Sequence, residues 1–237
     1  MSLKNRIEKY WNIRSKDFGK VRRLELKGKD AAEWLKIIRA HLPERENLKI
    51  LDAGTGAGFF AILLSKIGHN VTGIDMSGEM IKEAEINLKE FNCRAELKKM
   101  DAQKLDFPDK NFDVIVSRNL TWTLPDVMQA YREWYRVLKP GGILINFDSD
   151  CGTIKFEKKS DEKDVHAGIS DELIEECNSI KDDLKITTHK RPEFDVQFLQ
   201  KIGFNVRFDE DISGKVHVDE SCRYDSIPLF AIYAEKV

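Results

Sequence analysis

The sequence predicts an α/β fold, a mostly parallel sheet covered by helices on both faces, and three observations carry that reading. Short runs of strand character alternate with helically periodic segments through most of the 237 residues, the pattern of strand–helix–strand units. One run, Ile143-Leu144-Ile145-Asn146-Phe147, is nearly continuous in apolar residues, as expected of a strand buried on both faces. The first strand also leads directly into a glycine-rich turn and a helix, through Leu51-Asp52-Ala53-Gly54-Thr55-Gly56-Ala57-Gly58.

Taken in order, the chain opens with Ile7, Trp11, Arg14 and Phe18 at helical spacing, which predicts an amphipathic helix within a helical cap over about residues 1–47. Seven strands are expected near 49–54, 70–75, 95–100, 112–118, 142–148, 205–211 and 229–235. Residues 58–67 carry apolar side chains at helical spacing and stop at Gly68, where glycine tolerates the positive φ of a C-terminal cap. Ser77 is placed to cap a helix whose inner face is Ile81, Ala84, Leu88 and Phe91. Residues 126–138 put Val127, Ala130, Tyr131, Trp134, Val137 and Leu138 on one stripe, which Lys139-Pro140-Gly141-Gly142 ends. A charged and helical insertion follows over about 149–191, with a helix near 171–180. Insertions of this length usually carry their own structure and shape a binding site. No repeat, low-complexity tract or linker divides the chain, so 1–237 is read as a single domain.

Composition narrows the partners. Lys+Arg 39 against Asp+Glu 41 leave a net charge of -2, so no global basic field gathers DNA or an anionic membrane. Lys98, Lys99 and Lys104 read as a solvated face. The longest apolar run, Phe59-Phe60-Ala61-Ile62-Leu63-Leu64, falls far short of the ~20 residues that span a bilayer, and no membrane insertion is expected. The start, Met1-Ser2-Leu3-Lys4-Asn5-Arg6, has no secretory pattern, so a cytoplasmic location is expected. Cys93, Cys151, Cys177 and Cys222 are widely spaced and form no CxxC. They read as reduced thiols, and no metal is expected.

The glycine turn carries the chemistry. Glycines let the chain turn tightly and let a ligand approach the backbone. Alone, G-x-G-x-G is a weak signal. Here a strand precedes it, a helix follows it, and Asp75 ends the next strand about 20 residues on, placed to accept from both hydroxyls of a ribose. A nucleoside-containing cofactor is the natural reading, and a tight turn without a ligand is the alternative.

Five motifs in order resemble the class I S-adenosylmethionine-dependent methyltransferases, especially the small-molecule branch grouped as type 11 that includes quinone-biosynthesis enzymes. They are the glycine turn, Val71-Thr72-Gly73-Ile74-Asp75-Met76-Ser77, Asp101-Ala102, Phe112-Asp113-Val114-Ile115-Val116-Ser117-Arg118, and Arg136-Val137-Leu138-Lys139-Pro140-Gly141-Gly142, spanning about 48–148. The resemblance implies a Rossmann-like seven-stranded sheet whose last strand is antiparallel, inserted beside the fifth and paired with the sixth. It implies S-adenosylmethionine as cofactor and S-adenosylhomocysteine as product. Asp52, Gly54, Gly56 and Gly58 would surround the methionine portion and Asp75 would hold the ribose. Met76 would pack on the adenine face, or else fill the core. Asp101 would accept from the adenine amino group and Ala102 would offer its amide. Ser117, Arg118 and Asn119 would contact methionine and orient substrate, with a plain surface role as the alternative for Arg118.

The implied reaction is methyl transfer to a small-molecule acceptor. A sulfonium is already electrophilic, so positioning and water exclusion suffice, and no catalytic residue is assigned. Where the acceptor must lose a proton, His166, His189 and Tyr10 are the candidate bases. Tyr10, Trp11 and Phe18 are read as an aromatic wall over the sulfonium, with simple anchoring of the helix as the alternative for Trp11. Trp122 is expected in the acceptor pocket. Other readings are a non-catalytic cofactor-binding regulator, an RNA or metalloid methyltransferase (the latter through Cys151, Cys177 and Cys222), and a dehydrogenase. Base methylation is disfavoured, because the chain has Ser-Arg-Asn-Leu where nucleic-acid amino methyltransferases carry Asn/Asp-Pro-Pro-Tyr. No Ser-Tyr-Lys arrangement supports a dehydrogenase.

Overall fold

A computed structural model describes the chain except at residues 153, 159–160, 162, 165, 221–222 and 225; Cys222 therefore lies outside the described residues. Seven strands, β1 (Lys49–Ala53), β2 (Asn70–Asp75), β3 (Glu96–Lys99), β4 (Phe112–Arg118), β5 (Leu138–Ser149), β6 (Phe204–Asp209) and β7 (Leu229–Lys236), form one sheet in the order β3-β2-β1-β4-β5-β7-β6. The first five run parallel. β7 is antiparallel to both β5 and β6 and lies between them, as the resemblance implies. Chain direction across the sheet reverses between β1 and β4, where Ala53 pairs with Ser117. Ligands of open α/β sheets bind in the crevice beyond the strand ends at such a point.

Alternate residues of the central strands feed two cores. Leu51 and Ile115 face a cluster containing Tyr131 and Trp134, whereas their neighbours Ile50 and Val114 face one containing Trp34, Phe60 and Phe147. Helix α3 (Phe59–Lys66) begins at Gly58, whose φ of 86° suits glycine and whose Cα abuts Ala84. Helix α4 (Gly78–Glu90) is capped by the Ser77 hydroxyl, which accepts from the Met80 amide. Helix α5 (Val127–Val137) is capped by Asp126 and buries the expected stripe.

Three features differ from the sequence reading. The N-terminal cap is two helices, α1 (Leu3–Lys27) and α2 (Asp30–Arg39). Strand β5 starts at Leu138, not Gly142, because a register shift opposite Phe112 and Val114 absorbs Pro140 and Gly141, the latter with φ 69°. Two helices lie beyond the ones read from the pattern, α7 (Glu193–Lys201) and the short α8 (Ser213–Val216). The insertion contributes α6 (Asp171–Asp183) and a 3-10 turn, Lys185–Thr188.

Helix α1 is strapped to the body at both ends. Arg6 binds Glu176 and Asp183 on α6; Arg23 binds Glu83 and Asn87 on α4. Between them the Asn12 amide oxygen accepts from the Ser77 hydroxyl at 2.7 Å. Among the described residues, no helix is long and apolar enough to cross a membrane.

Trp34 of α2 is fully buried, with its ring edge-on to Phe60 and Phe147 at 5.4 and 4.9 Å. Trp34→Ala is expected to lower unfolding free energy by about 3–5 kcal/mol in urea titrations, and Trp34→Phe by clearly less; equal losses would show that indole volume is not what the site requires.

Candidate cofactor and acceptor site

A cavity of about 80 Å³ lies beyond the carboxyl ends of β1, β2 and β4. The turn after β1 forms its floor. Asp52, almost fully buried, accepts through Oδ2 from the Thr55 hydroxyl at 2.6 Å and the Ala61 amide at 3.0 Å. These bonds tie both sides of the glycine turn to one carboxylate. Burial nonetheless pushes the Asp52 carboxyl up to about 7. Gly54 has φ 70°, and a Cβ there would stand 2.9 Å from the Leu120 side chain. Any other residue would close the turn onto the loop after β4.

Asp75, half-buried at the end of β2, accepts from the Gly56 amide at 3.0 Å and the Ser77 amide at 2.8 Å. Burial pushes its carboxyl up to about 6. Ile74, Met76, Met80, Met100, Ala102 and Leu124 line an apolar slot beside it, flat-sided space suited to a base. At the slot's edge Asp101 accepts from the Gln103 amide and side chain and pairs with Lys4 of α1 at 2.7 Å. Burial opposes its charge, but Lys4 and Gln103 outweigh that and hold it below the usual carboxylate range.

A second cavity, about 130 Å³, opens beside the first. The two share Trp11, Phe18, Arg22 and Asn119 as lining, so one wall separates them. Tyr10, Trp122, Phe156 and Ile174 give the second cavity an aromatic and aliphatic body, and Arg14, His166 and His217 bring polar groups to it. Trp122 leans on Phe156 with ring centroids 5.6 Å apart. Tyr10 is hydrogen-bonded to Cys177, and burial raises its phenol far above the ordinary value.

Behind the cavity walls, Glu25 of α1 is fully buried between the guanidinium groups of Arg22, which lines both cavities, and Arg118, which lines the first. Arg118, at the end of β4, approaches it at 2.8 Å, and Arg22 binds it from one turn away. Burial works against the charge of Glu25, yet the two arginines hold its carboxyl well below the usual range. The cations also face rings: Arg118 lies 4.2 Å from the Trp34 centroid and Arg22 lies 4.4 Å from that of Phe18. Among the described residues, Arg118 Nε and Nη1 are buried without hydrogen-bond partners, and the guanidinium also interacts with Tyr224. Nearby, His217 stacks on Tyr224 at 3.6 Å. Burial, and then the charge of Arg118, hold its imidazole down to about 3.

A second buried network fixes the loop after β4. The Asp148 carboxylate accepts from the Thr121 hydroxyl and from the Trp122 amide at 2.9 Å. Arg191, at the end of the insertion, donates to Thr121 at 2.6 Å and to both oxygens of Asp195 at 2.8 Å. Tyr131 donates to Asp195 at 2.6 Å. Trp122 is thereby set at the mouth of the second cavity by backbone as well as packing.

Of the residues singled out from the sequence, Asp52, Gly54, Gly56, Asp75, Met76, Asp101, Ala102 and Arg118 line the first cavity, Tyr10 and Trp122 line the second, and Trp11 and Asn119 line both. Two of the candidate cofactor residues line neither. Ser117 is fully buried behind the strand end, and Gly58 packs against α4. Arg118 is no surface residue: its side chain is 6% exposed. Of the candidate bases, His166 lines the second cavity, whereas His189 stacks on Phe194 away from it. Sequence reading passed over Arg22, Glu25 and His217. The first two had a signal, because they continue the buried stripe of α1 at helical spacing, where charge is out of place.

Residues 51–146 match a family model described as a methyltransferase domain. The chain is 34% identical over 163 residues, covering 66% of its own length and 74% of the relative's, to a phosphatidylethanolamine N-methyltransferase of Cereibacter sphaeroides. It is 34% identical over 122 residues to a demethylmenaquinone methyltransferase of Listeria welshimeri, covering 49% of this chain and 51% of that protein; it thus spans about half the length of this second relative. Among solved structures, a SAM dependent methyltransferase from Aquifex aeolicus shares the fold, with a TM-score of 0.58 and 24% identity over 91% of this chain and 93% of that one.

Removing the charge of Glu25 leaves two buried cations unopposed. Glu25→Gln is expected to cost about 3–5 kcal/mol of stability in denaturant titrations, and a loss below about 1 kcal/mol would show that the pair is solvated.

Proposed function

The chain belongs to the S-adenosylmethionine-dependent methyltransferases of the type 11 family, and we propose that it transfers the cofactor's methyl group to a small-molecule acceptor held in the second cavity. One observation carries this reading: a cavity built like a nucleoside site shares a wall with a larger, aromatic one. A protein that only sensed its cofactor would need no second cavity facing the first. On this reading the chain is one domain, with α1, α2 and the insertion closing the second cavity, and its scattered cysteines fit a cytoplasmic enzyme.

The residues present fit the cofactor. Asp75 would accept from the ribose hydroxyls, Met76 and Ala102 would flank the adenine, and Asp101 would accept from its amino group once Lys4 gives way. Gly54 and Gly56 leave room for the methionine portion. The unpartnered N–H groups of Arg118, with Arg22 beside them, face the methionine carboxylate, an anion that Glu25 leaves unclaimed because it offsets only one of the two cations. When bound, S-adenosylmethionine supplies a sulfonium methyl that is already electrophilic. Trp11 and Phe18 then stand at the shared wall, where their ring faces favour a cation and exclude water, and Asn119 and Trp122 orient the acceptor. Tyr10 stays protonated and His217 stays neutral near pH 7. Neither is a strong base; His166 is the remaining candidate base that lines the cavity, and alignment of an already electrophilic methyl with the acceptor is the main contribution on this reading. A metalloid acceptor is a second reading, because Cys151 and Cys177 both line the second cavity; turnover with arsenite separates the two.

Calorimetric titration with S-adenosylhomocysteine tests the cofactor site. Asp75 takes a proton as pH falls through about 6, and ribose hydroxyls bind its ionised form. Affinity should therefore be level above pH 7 and weaken below 6 by up to about tenfold per pH unit. Asp75→Asn should bind weakly with a flat profile. Unchanged affinity in Asp75→Asn, or tight binding of NAD instead, would overturn the assignment.

A further inference from the structure

Arg14 of α1 is 3% exposed and lines the second cavity, yet among the described residues its Nε and Nη1 have no hydrogen-bond partner. The other buried guanidinium groups each have a carboxylate: Arg22 and Arg118 have Glu25, and Arg191 has Asp195 and Asp148. Among the described residues Arg14 has none. A buried, uncompensated guanidinium costs stability unless a ligand supplies the missing charge. On the proposed placement the cofactor would not supply it, since its carboxylate would meet Arg118 and Arg22 in the first cavity and its sulfonium and ammonium are both positive.

Resting on the reading of the second cavity as the acceptor site, we propose that the acceptor carries a carboxylate on an aromatic or apolar body, and that Arg14 is the residue that binds this carboxylate. One guanidinium balances one charge. Glu157, at the cavity's exposed rim, adds a negative charge that disfavours a phosphate dianion. The remaining walls, chiefly Tyr10, Trp122, Phe156 and Ile174, suit an apolar body. Position along α1 sets the distance scale. Trp11 and Phe18, at the wall shared with the cofactor cavity, lie three and four residues from Arg14, so their Cβ atoms are about 5–6 Å from its own. The carboxylate is thus a handle held one helical turn from where the methyl arrives, and the accepting atom belongs to the same small molecule.

The test titrates protein saturated with S-adenosylhomocysteine with 3-phenylpropanoate and indole-3-acetate, with their neutral amides, and with 2-phenylethyl phosphate. Wild type should bind the carboxylates tighter than the amides by about tenfold or more, and tighter than the phosphate. Arg14→Met should erase the preference, and Arg14→Lys should keep part of it. Arg14→Met should also hold S-adenosylhomocysteine within about twofold and raise the thermal midpoint, because an unpaired buried charge is gone. Carboxylates that bind no better than amides, a preference that survives in Arg14→Met, a stronger grip on the phosphate, or a midpoint that falls by several degrees would each overturn the proposal. Failure of wild type to bind S-adenosylhomocysteine at all would instead strike the cofactor reading beneath it.

Discussion

Glu25 is the residue on which the site depends. It lies on α1, Arg118 ends β4, and their ion pair is the buried one among the bonds that join the cap to the carboxyl end of the sheet. Burying three charged groups costs several kcal/mol per ion, and mutual attraction offsets this only with good geometry and supporting contacts. The structure provides both, through the flanking arginine and the rings of Trp34, Phe18 and Phe59 beneath the guanidinium planes. With α1 held there, Trp11, Phe18 and Arg22 form the wall between two cavities.

The Arg191–Asp195–Asp148 network does on the far side what Glu25 does on the near side. It joins the end of the insertion to β5 and to the turn carrying Trp122. Two buried polar networks therefore bracket the crevice at the sheet's reversal point, one positioning the cap and one the loop after β4. Between them the glycine turn needs little rigidity of its own, because Asp52 and Asp75 accept the hydrogen bonds that shape it. Both carboxyls are pushed upward by burial.

What could be read from the sequence was what local chemistry determines. The strands were legible from apolar runs bounded by turns, and β2 and β4 begin and end where the pattern places them. The candidate cofactor residues were legible as a turn in which Gly54 takes φ 70° and an acid, Asp75, at the end of the next strand. Contacts between distant segments were not legible. Nothing near His217 or Tyr224 announces that they return to Arg118, and Arg191 meets Asp148 and Thr121 only in the folded chain. Between these extremes lie Arg14, Arg22 and Glu25. Their helical spacing placed them on the buried face of α1, but a charge on an apolar stripe is easily read as an interruption of the pattern and not as the site itself. Ser117 shows the converse: adjacent to a cavity residue in sequence, it points to the other side of the strand, as alternation requires.

The most direct measurement is a crystal structure of the S-adenosylhomocysteine complex. The account predicts adenine beside Met76, the ribose on Asp75, the carboxylate on Arg118, and the thioether sulfur at the wall of Trp11, Phe18, Arg22 and Asn119, facing the second cavity. A homocysteine tail turned away from that wall, with sulfur opening to solvent or to the core, would contradict it.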